Sequence, residues 1–346
     1  MRKFLIFLLL FSWLALPAQA SEWNAPEPPP QAEAFMPAHP EDFSTGIREM
    51  FQTALSKLRP DLMEAGRISL SVIAGVMLIS VLKTFGGPVS RAADLAGTVC
   101  IAGGLLMTSN SLIHLGARTV TEISEYGKLL LPVMTGALAA QGGFSKSTAL
   151  FAGTAGFMAL LGSLITSVLI PLTYLFLALS VGNAALSQDI LKKLRDLTKS
   201  VVSWCLKTVI TVFTTYIGLT GVVTGTADTA ALKAAKATVS TVVPVVGGIL
   251  SSASETMLLS AAVLKNAAGI YGIFVVLAIF LEPFLRILAH YWVLKATSAV
   301  CSVFGTGPVS NLIGDFSGAM GLLLAMTGTG CLLMLLGTVC FMKGVG

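Results

Sequence analysis

Three ionisable side chains, Glu282, Arg286 and His290, are spaced four residues apart in a strongly apolar part of the chain. In an α-helix this spacing places all three on one face, where they can interact with one another. Ionisable residues inside membrane segments are costly to bury and often mark a solute or proton path. The alternative is an ion pair at the level of the lipid headgroups. We favour that alternative because Pro283 is expected to start a membrane span, and side chains near a helix end can reach water.

Two short segments rich in proline and glycine supply the second group of candidate positions. LPVMTGAL at 131–138 and VPVVGGIL at 243–250 are each much shorter than a membrane span, which needs about 20 residues. Proline removes a helix hydrogen bond and glycine loosens the helix, so we expect interrupted or re-entrant segments that line a pathway. Amphipathic helices at the membrane interface are the alternative. The candidate pathway positions here are Pro132, Gly136, Pro244, Gly247, Gly248 and Glu255.

An internal repeat relates these two segments. At an offset of 112 residues, Pro132 aligns with Pro244 and Pro171 aligns with Pro283. The predicted repeat pairs residues 131–187 with residues 243–299, and each copy contributes one interrupted segment. Paired interrupted segments in the two halves of a membrane protein predict a central site.

The composition indicates the fold class. The chain has 346 residues, of which 55% are hydrophobic and 11% are charged, whereas soluble domains have about 25% charged residues. The net charge of +5 is spread over short loops, so no basic patch predicts nucleic-acid binding. We therefore predict an all-α polytopic membrane protein.

About eight transmembrane helices are predicted in addition to the two short segments. Pro171 and Pro283 separate neighbouring spans that would otherwise be too long for one crossing. The predicted spans lie near 68–85, 92–112, 148–168, 170–187, 200–222, 256–280, 284–303 and 317–342.

Before these spans, the chain divides into three segments. Residues 1–20 have a basic start, a short apolar core and an Ala18-Gln19-Ala20 site, which predicts a signal peptide cleaved between Ala20 and Ser21. An uncleaved first span is the alternative. Residues 21–42 form a proline-rich, flexible, exported linker. Residues 43–67 form an amphipathic helix that lies on the membrane, docks on a partner or packs on the transmembrane domain, residues 68–346.

The orientation of the spans stays open at this stage. With an exported N-terminus, Lys83 and Arg91 are cytoplasmic. Eight crossings would then place the basic segment 192–199 outside, against the tendency of basic loops to remain in the cytoplasm. Ten crossings, with both short segments spanning, would return this segment to the cytoplasm.

Sequence motifs for enzymatic chemistry are lacking. The sequence contains no GxxxxGK[ST], HExxH or GxSxG motif. Its five cysteines lie in apolar stretches without CxxC spacing, which is typical of small buried side chains. We therefore expect no catalytic residues, no metal and no cofactor.

Residues 241–272, TVVPVVGGILSSASETMLLSAAVLKNAAGIYG, resemble the most recognisable segment of the stage III sporulation protein AE family of endospore-forming bacteria. The resemblance extends to the signal peptide, the exported linker, LLPVMTGALAA at 130–140 and GPVS at 307–310. It covers nearly the whole chain.

This resemblance implies a role without implying a chemistry. Members belong to a channel-like, secretion-related complex in the mother-cell membrane around the forespore, which supports forespore development. The implied partners are other stage III sporulation membrane proteins, a separate ATPase subunit and a forespore-membrane protein. A stand-alone secondary transporter for a small solute is the competing hypothesis, because it would also use a repeat and the Glu282, Arg286 and His290 face.

Overall fold

The structure is a computed structural model that describes residues 26–38, 43–84, 87–186, 189–242, 247–304 and 307–343. Within these ranges, side chains are described except in 87–94, at 189 and in 221–260. The predicted signal peptide with Ala20 and Ser21 lies outside the described residues, as does Pro244.

The described chain is helical almost throughout and contains no strand. This confirms the predicted all-α class. The helices are α1 (Pro30–Glu33), α2 (Phe43–Lys83), α3 (Gly87–Ala140), α4 (Phe144–Leu164), α5 (Ile170–Leu186), α6 (Asp189–Val242), α7 (Gly247–Ser302) and α8 (Gly307–Met342), and a π-helical turn (Ile165–Leu169) joins α4 to α5.

Six helical segments of the described chain are long and apolar enough to cross a membrane, and the predicted count of eight is not confirmed. They are Phe43–Lys83, Leu95–Ala140, Phe144–Leu186, Ile190–Thr220, Ala261–Ser302 and Gly307–Met342. The count is lower because the spans predicted on either side of Pro171, and those on either side of Pro283, each join into one continuous helix.

Both prolines are accommodated inside helices, although the sequence predicted a boundary at each. Proline lacks an amide hydrogen and crowds the carbonyl group four residues earlier. The π-helical turn Ile165–Leu169 comes just before Pro171, and a wider turn relieves this crowding. Pro283 lies within α7 between the buried residues Ile279 and Ile287. Packing on both sides of Pro283 therefore keeps α7 continuous.

Helix α8 forms the centre of the bundle. It contacts α3, α4, α5, α6 and α7, and Phe316, Met320 and Met334 are fully buried. By contrast, the outward-facing side chains of α6 include Trp204, which is 67% exposed. Apolar side chains that point away from the bundle are expected of a protein surrounded by lipid.

The ends of four helices lie close together at one end of the bundle. Ser80, near the C-terminal end of α2, donates a hydrogen bond to the carbonyl oxygen of Phe304, just beyond α7, at 3.3 Å. Arg195 of α6 and Asp315 of α8, both near the start of their helices, are joined at 2.6 Å. Because α7 leads into α8 at this end, the ends of α2 and α7 and the starts of α6 and α8 share one side.

This arrangement removes the conflict over orientation. Between Lys83 and Lys192 the chain passes once along α3 and once back along α4 and α5. Two passes return the chain to the side from which it started, so the basic starts of α3 and α6 lie on the same side. This grouping agrees with the tendency of basic segments to stay in the cytoplasm, and it does not require ten crossings.

The amphipathic start of α2 packs on its own domain. The rings of Phe43 and Phe274 of α7 lie 5.4 Å apart, and Met50 and Ala54 are buried. On the adjacent face, Phe51 is 62% exposed. Residues 43–67 thus pack on the transmembrane domain, which is one of the three positions that the sequence left open.

The described part of the proline-rich linker is also packed. Ala32 and Phe35 are buried, and Lys57 Nζ lies 4.2 Å from the centre of the Phe35 ring. The Ala38 amide donates a hydrogen bond to Glu49 at 3.0 Å. Phe35 therefore packs residues 30–38 against α2, although the sequence predicted a flexible linker here.

Candidate functional site

Glu282, Arg286 and His290 lie on α7, far from its start at Gly247. Glu282 is exposed, Arg286 is half-buried and His290 is 2% exposed. The predicted position at a helix start is therefore wrong, because Pro283 does not begin a helix. Along this face of α7, the polar groups pass from the surface into the bundle.

Helix α2 supplies the partner of Arg286. Arg286 Nη2 lies 3.3 Å from Glu64 Oε2 and 3.4 Å from Oε1. The sequence suggested an ion pair within α7, whereas Arg286 reaches across to another helix. A hydrogen bond between Ser69 of α2 and Thr297 of α7 holds the two helices together further along.

His290 has a defined hydrogen-bonding pattern. Its Nδ1 lies 2.9 Å from the carbonyl oxygen of Arg286, one turn earlier. A carbonyl oxygen only accepts, so Nδ1 carries the hydrogen and, in the neutral ring, Nε2 is an acceptor. His290 Nε2 and Arg286 Nε are both buried without a hydrogen-bond partner in the part of the chain that the structure describes.

A cavity of about 250 Å³ lies between α2, α3 and α7. Thr108 and Ser111 contribute hydroxyl groups from α3, and Met107, which is 80% exposed, lies where the cavity meets the surface. The cavity is lined by Glu64, Met107, Thr108, Ser111, Leu112, Arg286 and His290. Such a polar recess in an apolar bundle can hold water or a small polar molecule.

The first of the two proline and glycine segments has a different geometry from the one predicted. Residues 131–138 lie inside α3, with Leu131 and Met134 buried. The helix ends only after Ala140, where Gly142 adopts φ 88° and lets the chain turn into α4. The helix is therefore continuous through Pro132, where the sequence predicted an interruption. Gly136 borders open space, since a β-carbon there would contact nothing within 4 Å.

The second segment is only partly described. Helix α7 begins at Gly247 and includes Gly248 and Glu255, whose side-chain surroundings lie outside the described residues. The segments 131–138 and 243–250 therefore cannot be superposed residue by residue, and the 112-residue repeat stays a prediction. The pathway role of both segments stays a prediction as well.

Asp61, Glu64, Thr108 and Ser111 belong to the site but were not singled out in the sequence. Asp61 interacts electrostatically with Arg286, Glu64, His290 and Glu282. Two features of the sequence could have pointed to these residues. Asp61 and Glu64 are acidic positions just before the most apolar part of α2, and Thr108 and Ser111 are polar positions within an apolar stretch of α3. Their proximity to α7 depends on helix packing, which these signals do not specify.

The side chains that line the cavity are of types that hold polar molecules. In the described ranges, no group of three or more His, Cys, Asp or Glu residues could hold a metal ion. The cavity is lined by the Arg286 guanidinium group, the Glu64 carboxylate, two hydroxyl groups and the His290 ring. These groups can bind a polar solute or relay protons.

The comparison with known families covers almost the whole bundle. A family model described as Stage III sporulation protein AE matches residues 33–346, which include every helix around the cavity. The chain belongs to the stage III sporulation protein AE family. It is thus a sporulation-related protein with helices suited to a membrane, and the resemblance seen in the sequence is confirmed.

One curated relative within this family is Stage III sporulation protein AE of Bacillus subtilis (strain 168), which is 24% identical over 198 residues. The match covers 57% of this chain and 49% of the relative, so the chain matches about half the length of that protein. No solved structure matches the chain.

Proposed function

We propose that this chain is a non-enzymatic integral component of a channel complex that resembles a secretion apparatus and links the mother cell to the forespore during sporulation. The family match over residues 33–346 carries this proposal. Six long apolar helices, with a central helix α8 enclosed by the others, support a membrane core role.

The proposal includes a location and a set of partners. The chain would lie in the mother-cell membrane around the forespore, with its N-terminal segment extracytoplasmic after cleavage. The partners would be other stage III sporulation membrane proteins, a forespore-membrane protein and a separate ATPase subunit. A separate ATPase is consistent with the sequence, which has no phosphate-binding loop of its own.

Isolation from sporulating cells tests the proposal. A tagged chain, extracted in mild detergent, should co-purify with several sporulation membrane proteins, and its deletion should arrest forespore development. An unrelated tagged polytopic protein from the same membrane serves as the control. Isolation of the chain alone, together with normal spore formation after deletion, would contradict the proposal.

A stand-alone secondary transporter is the second candidate, and the cavity between α2, α3 and α7 is the observation that favours it. Solute sites of such transporters lie between helices and contain a few polar groups. Purified chain in liposomes should then show saturable uptake of a small solute, with loss of uptake in Arg286→Gln. Failure of uptake across a broad panel of polar solutes would count against this candidate.

A further inference from the structure

The outward face of α3 presents a line of polar side chains. Six exposed residues follow one another at alternating intervals of three and four positions, which is the spacing of a single helix face. This polar stripe consists of Ser111, His114, Arg118, Thr121, Glu125 and Lys128. Between Met107 and Leu129, this described part of α3 exposes no large hydrophobic side chain.

The length of the polar stripe is close to the thickness of the hydrocarbon region of a membrane. It covers 111–128, which rises roughly 26 Å at about 1.5 Å per residue. The hydrocarbon region is about 30 Å thick. Charges at a single headgroup level would occupy a much shorter part of the helix, so the polar stripe requires another explanation.

Two sets of contacts show which part of the neighbouring arm, α4 followed by α5, lies at the level of the polar stripe. Tyr174 of α5 donates a hydrogen bond to Asn110 of α3. Nearer the turn between α3 and α4, the β-carbon position of Gly330 in α8 lies within 4 Å of both Val120 of α3 and Leu161 of α4. The polar stripe therefore runs beside the arm from Tyr174 past Leu161.

That part of the arm has the character of a surface that faces lipid. Residues 147–188 contain no Asp, Glu, Lys or Arg, and Leu160 and Val168 are 54% and 41% exposed. A bilayer that meets these side chains on one face of the bundle reaches the depth of the polar stripe on another. Ionisable side chains at membrane depth are costly in lipid, so they face protein or water.

The charges of the polar stripe suit water better than a close-packed partner. Glu125 and Lys128 pair at 2.6 Å, yet their side chains remain 62% and 67% exposed. A dry partner surface would remove both groups from water, and the attraction within one such pair does not reliably offset that cost.

Two cavities adjoin the polar stripe. Ser111 lines the cavity of about 250 Å³ between α2, α3 and α7, and Thr121 and Glu125 line a second cavity of about 200 Å³. One water molecule occupies about 30 Å³ of liquid, so each cavity has room for several. Polar side chains and space for water thus occur together along this face of α3.

We propose that the polar stripe forms one wall of a water-filled pathway at membrane depth, and that neighbouring subunits of the sporulation complex supply the other walls. The pathway runs along α3 from the cavity at Ser111 toward Lys128. It rests on the proposed function, because a single bundle leaves the polar stripe open on its outer side. Since Arg118 and Glu125 carry opposite charges, this wall suits water and small ions of either sign.

Cysteine accessibility tests the proposal. Ser111→Cys and Thr121→Cys are introduced singly in a chain that lacks the five native cysteines and still supports spore formation. Open membrane sheets from sporulating cells give a small charged thiol reagent access to both faces. Both cysteines should react at least about tenfold faster than the controls Leu160→Cys and Val168→Cys, because each unit by which lipid raises the pKa of a thiol removes about nine-tenths of its reactive thiolate.

A large reagent distinguishes a confined pathway from open solution. A maleimide attached to a long polyethylene glycol chain should react with neither cysteine of the polar stripe in the membrane sheets. In the purified chain, separated from its partners, it should react with both, because the other walls are then absent. Continued exclusion of the large reagent from the purified chain would contradict the role given to the neighbouring subunits.

Three results in the membrane sheets would overturn the proposal. Reaction of Ser111→Cys and Thr121→Cys with both reagents would place the polar stripe in open solution. Reaction with neither reagent would show that protein or lipid covers it. Reaction of Leu160→Cys and Val168→Cys with the small reagent at the same rate would place this level of the bundle outside the bilayer.

The labelling and the co-purification experiments fail separately. A chain that co-purifies with sporulation membrane proteins, but whose polar stripe reacts with the large reagent in the sheets, keeps the proposed function and loses the pathway. A chain that purifies alone, but whose polar stripe admits only the small reagent in the sheets, contradicts the proposed function. The pathway would then stand with copies of the chain itself as its other walls.

Discussion

Arg195 and Asp315 form a shielded ion pair that joins α6 to the central helix α8. Arg195 Nη1 lies 2.6 Å from Asp315 Oδ2, and the two side chains are only 11% and 18% exposed. Arg195 also contacts Asp196 at 2.8 Å. Because α6 is otherwise a peripheral helix, this pair is a main polar attachment of its N-terminal part to the bundle.

Loss of one partner of this pair should destabilise the protein strongly. Asp315→Asn should lower the free energy of unfolding by about 2 kcal/mol, because the shielded guanidinium group loses its charged partner on α8 and keeps only Asp196, whose side chain is 57% exposed. The measurement is denaturant unfolding in detergent micelles.

Two further variants test the reason for that loss. Lys128→Gln breaks the exposed pair with Glu125, whose side chains are 67% and 62% exposed, and it should cost less than about 1 kcal/mol. The double variant Arg195→Met with Asp315→Met should recover most of the loss, since two apolar side chains leave no uncompensated charge. Equal effects of the buried and the exposed single variants would contradict the structure.

Two glycines should respond in opposite ways to alanine. A β-carbon at Gly153 of α4 would overlap the Tyr216 ring, which a 2.8 Å hydrogen bond to the Ala149 carbonyl holds in place. Gly153→Ala should therefore lower the thermal midpoint of unfolding. Gly136→Ala in α3 meets open space and should raise stability by up to about 1 kcal/mol through helix propensity. A larger loss for Gly136→Ala than for Gly153→Ala would contradict the packing described here.

Cysteine labelling can decide between six and eight crossings. In a chain without native cysteines, Thr84→Cys and Ile190→Cys should react with a membrane-impermeant thiol reagent from the same side, because α3 and the α4–α5 helix lie between them. Phe144→Cys, at an exposed position at the start of α4, should react from the opposite side. Eight crossings as predicted from the sequence place 84 and 190 on opposite sides, so labelling of those two positions from opposite faces would contradict the six-helix arrangement.

Processing of the N-terminus can be tested independently of the bundle. The mature protein should begin at Ser21, and Ala20→Leu should block cleavage because the peptidase site requires small residues. N-terminal sequencing of the purified protein is the measurement. Detection of Met1 on the mature protein would instead support an uncleaved first span.

Local sequence features predicted that each segment is helical better than they predicted where each helix begins and ends. The apolar stretches predicted helices suited to a membrane, and the spacing of Glu282, Arg286 and His290 predicted a common helix face, as observed. Pro171 and Pro283 misled the prediction of helix ends. A proline removes only one hydrogen bond, and packing or a π-helical turn can compensate, so its local signal does not fix where a helix stops.

The sequence by itself determined the membrane class and the face of α7 that carries the ionisable residues, because these follow from composition and helical spacing. It also indicated the family, through the resemblance of residues 241–272. Only the tertiary structure decided that Arg286 pairs with Glu64 across 222 positions of sequence, and that α3 completes the cavity. Contacts of this kind depend on how whole helices pack against one another. The periodicity of a single helix shows which residues share a face, but it does not show which other helix that face will meet.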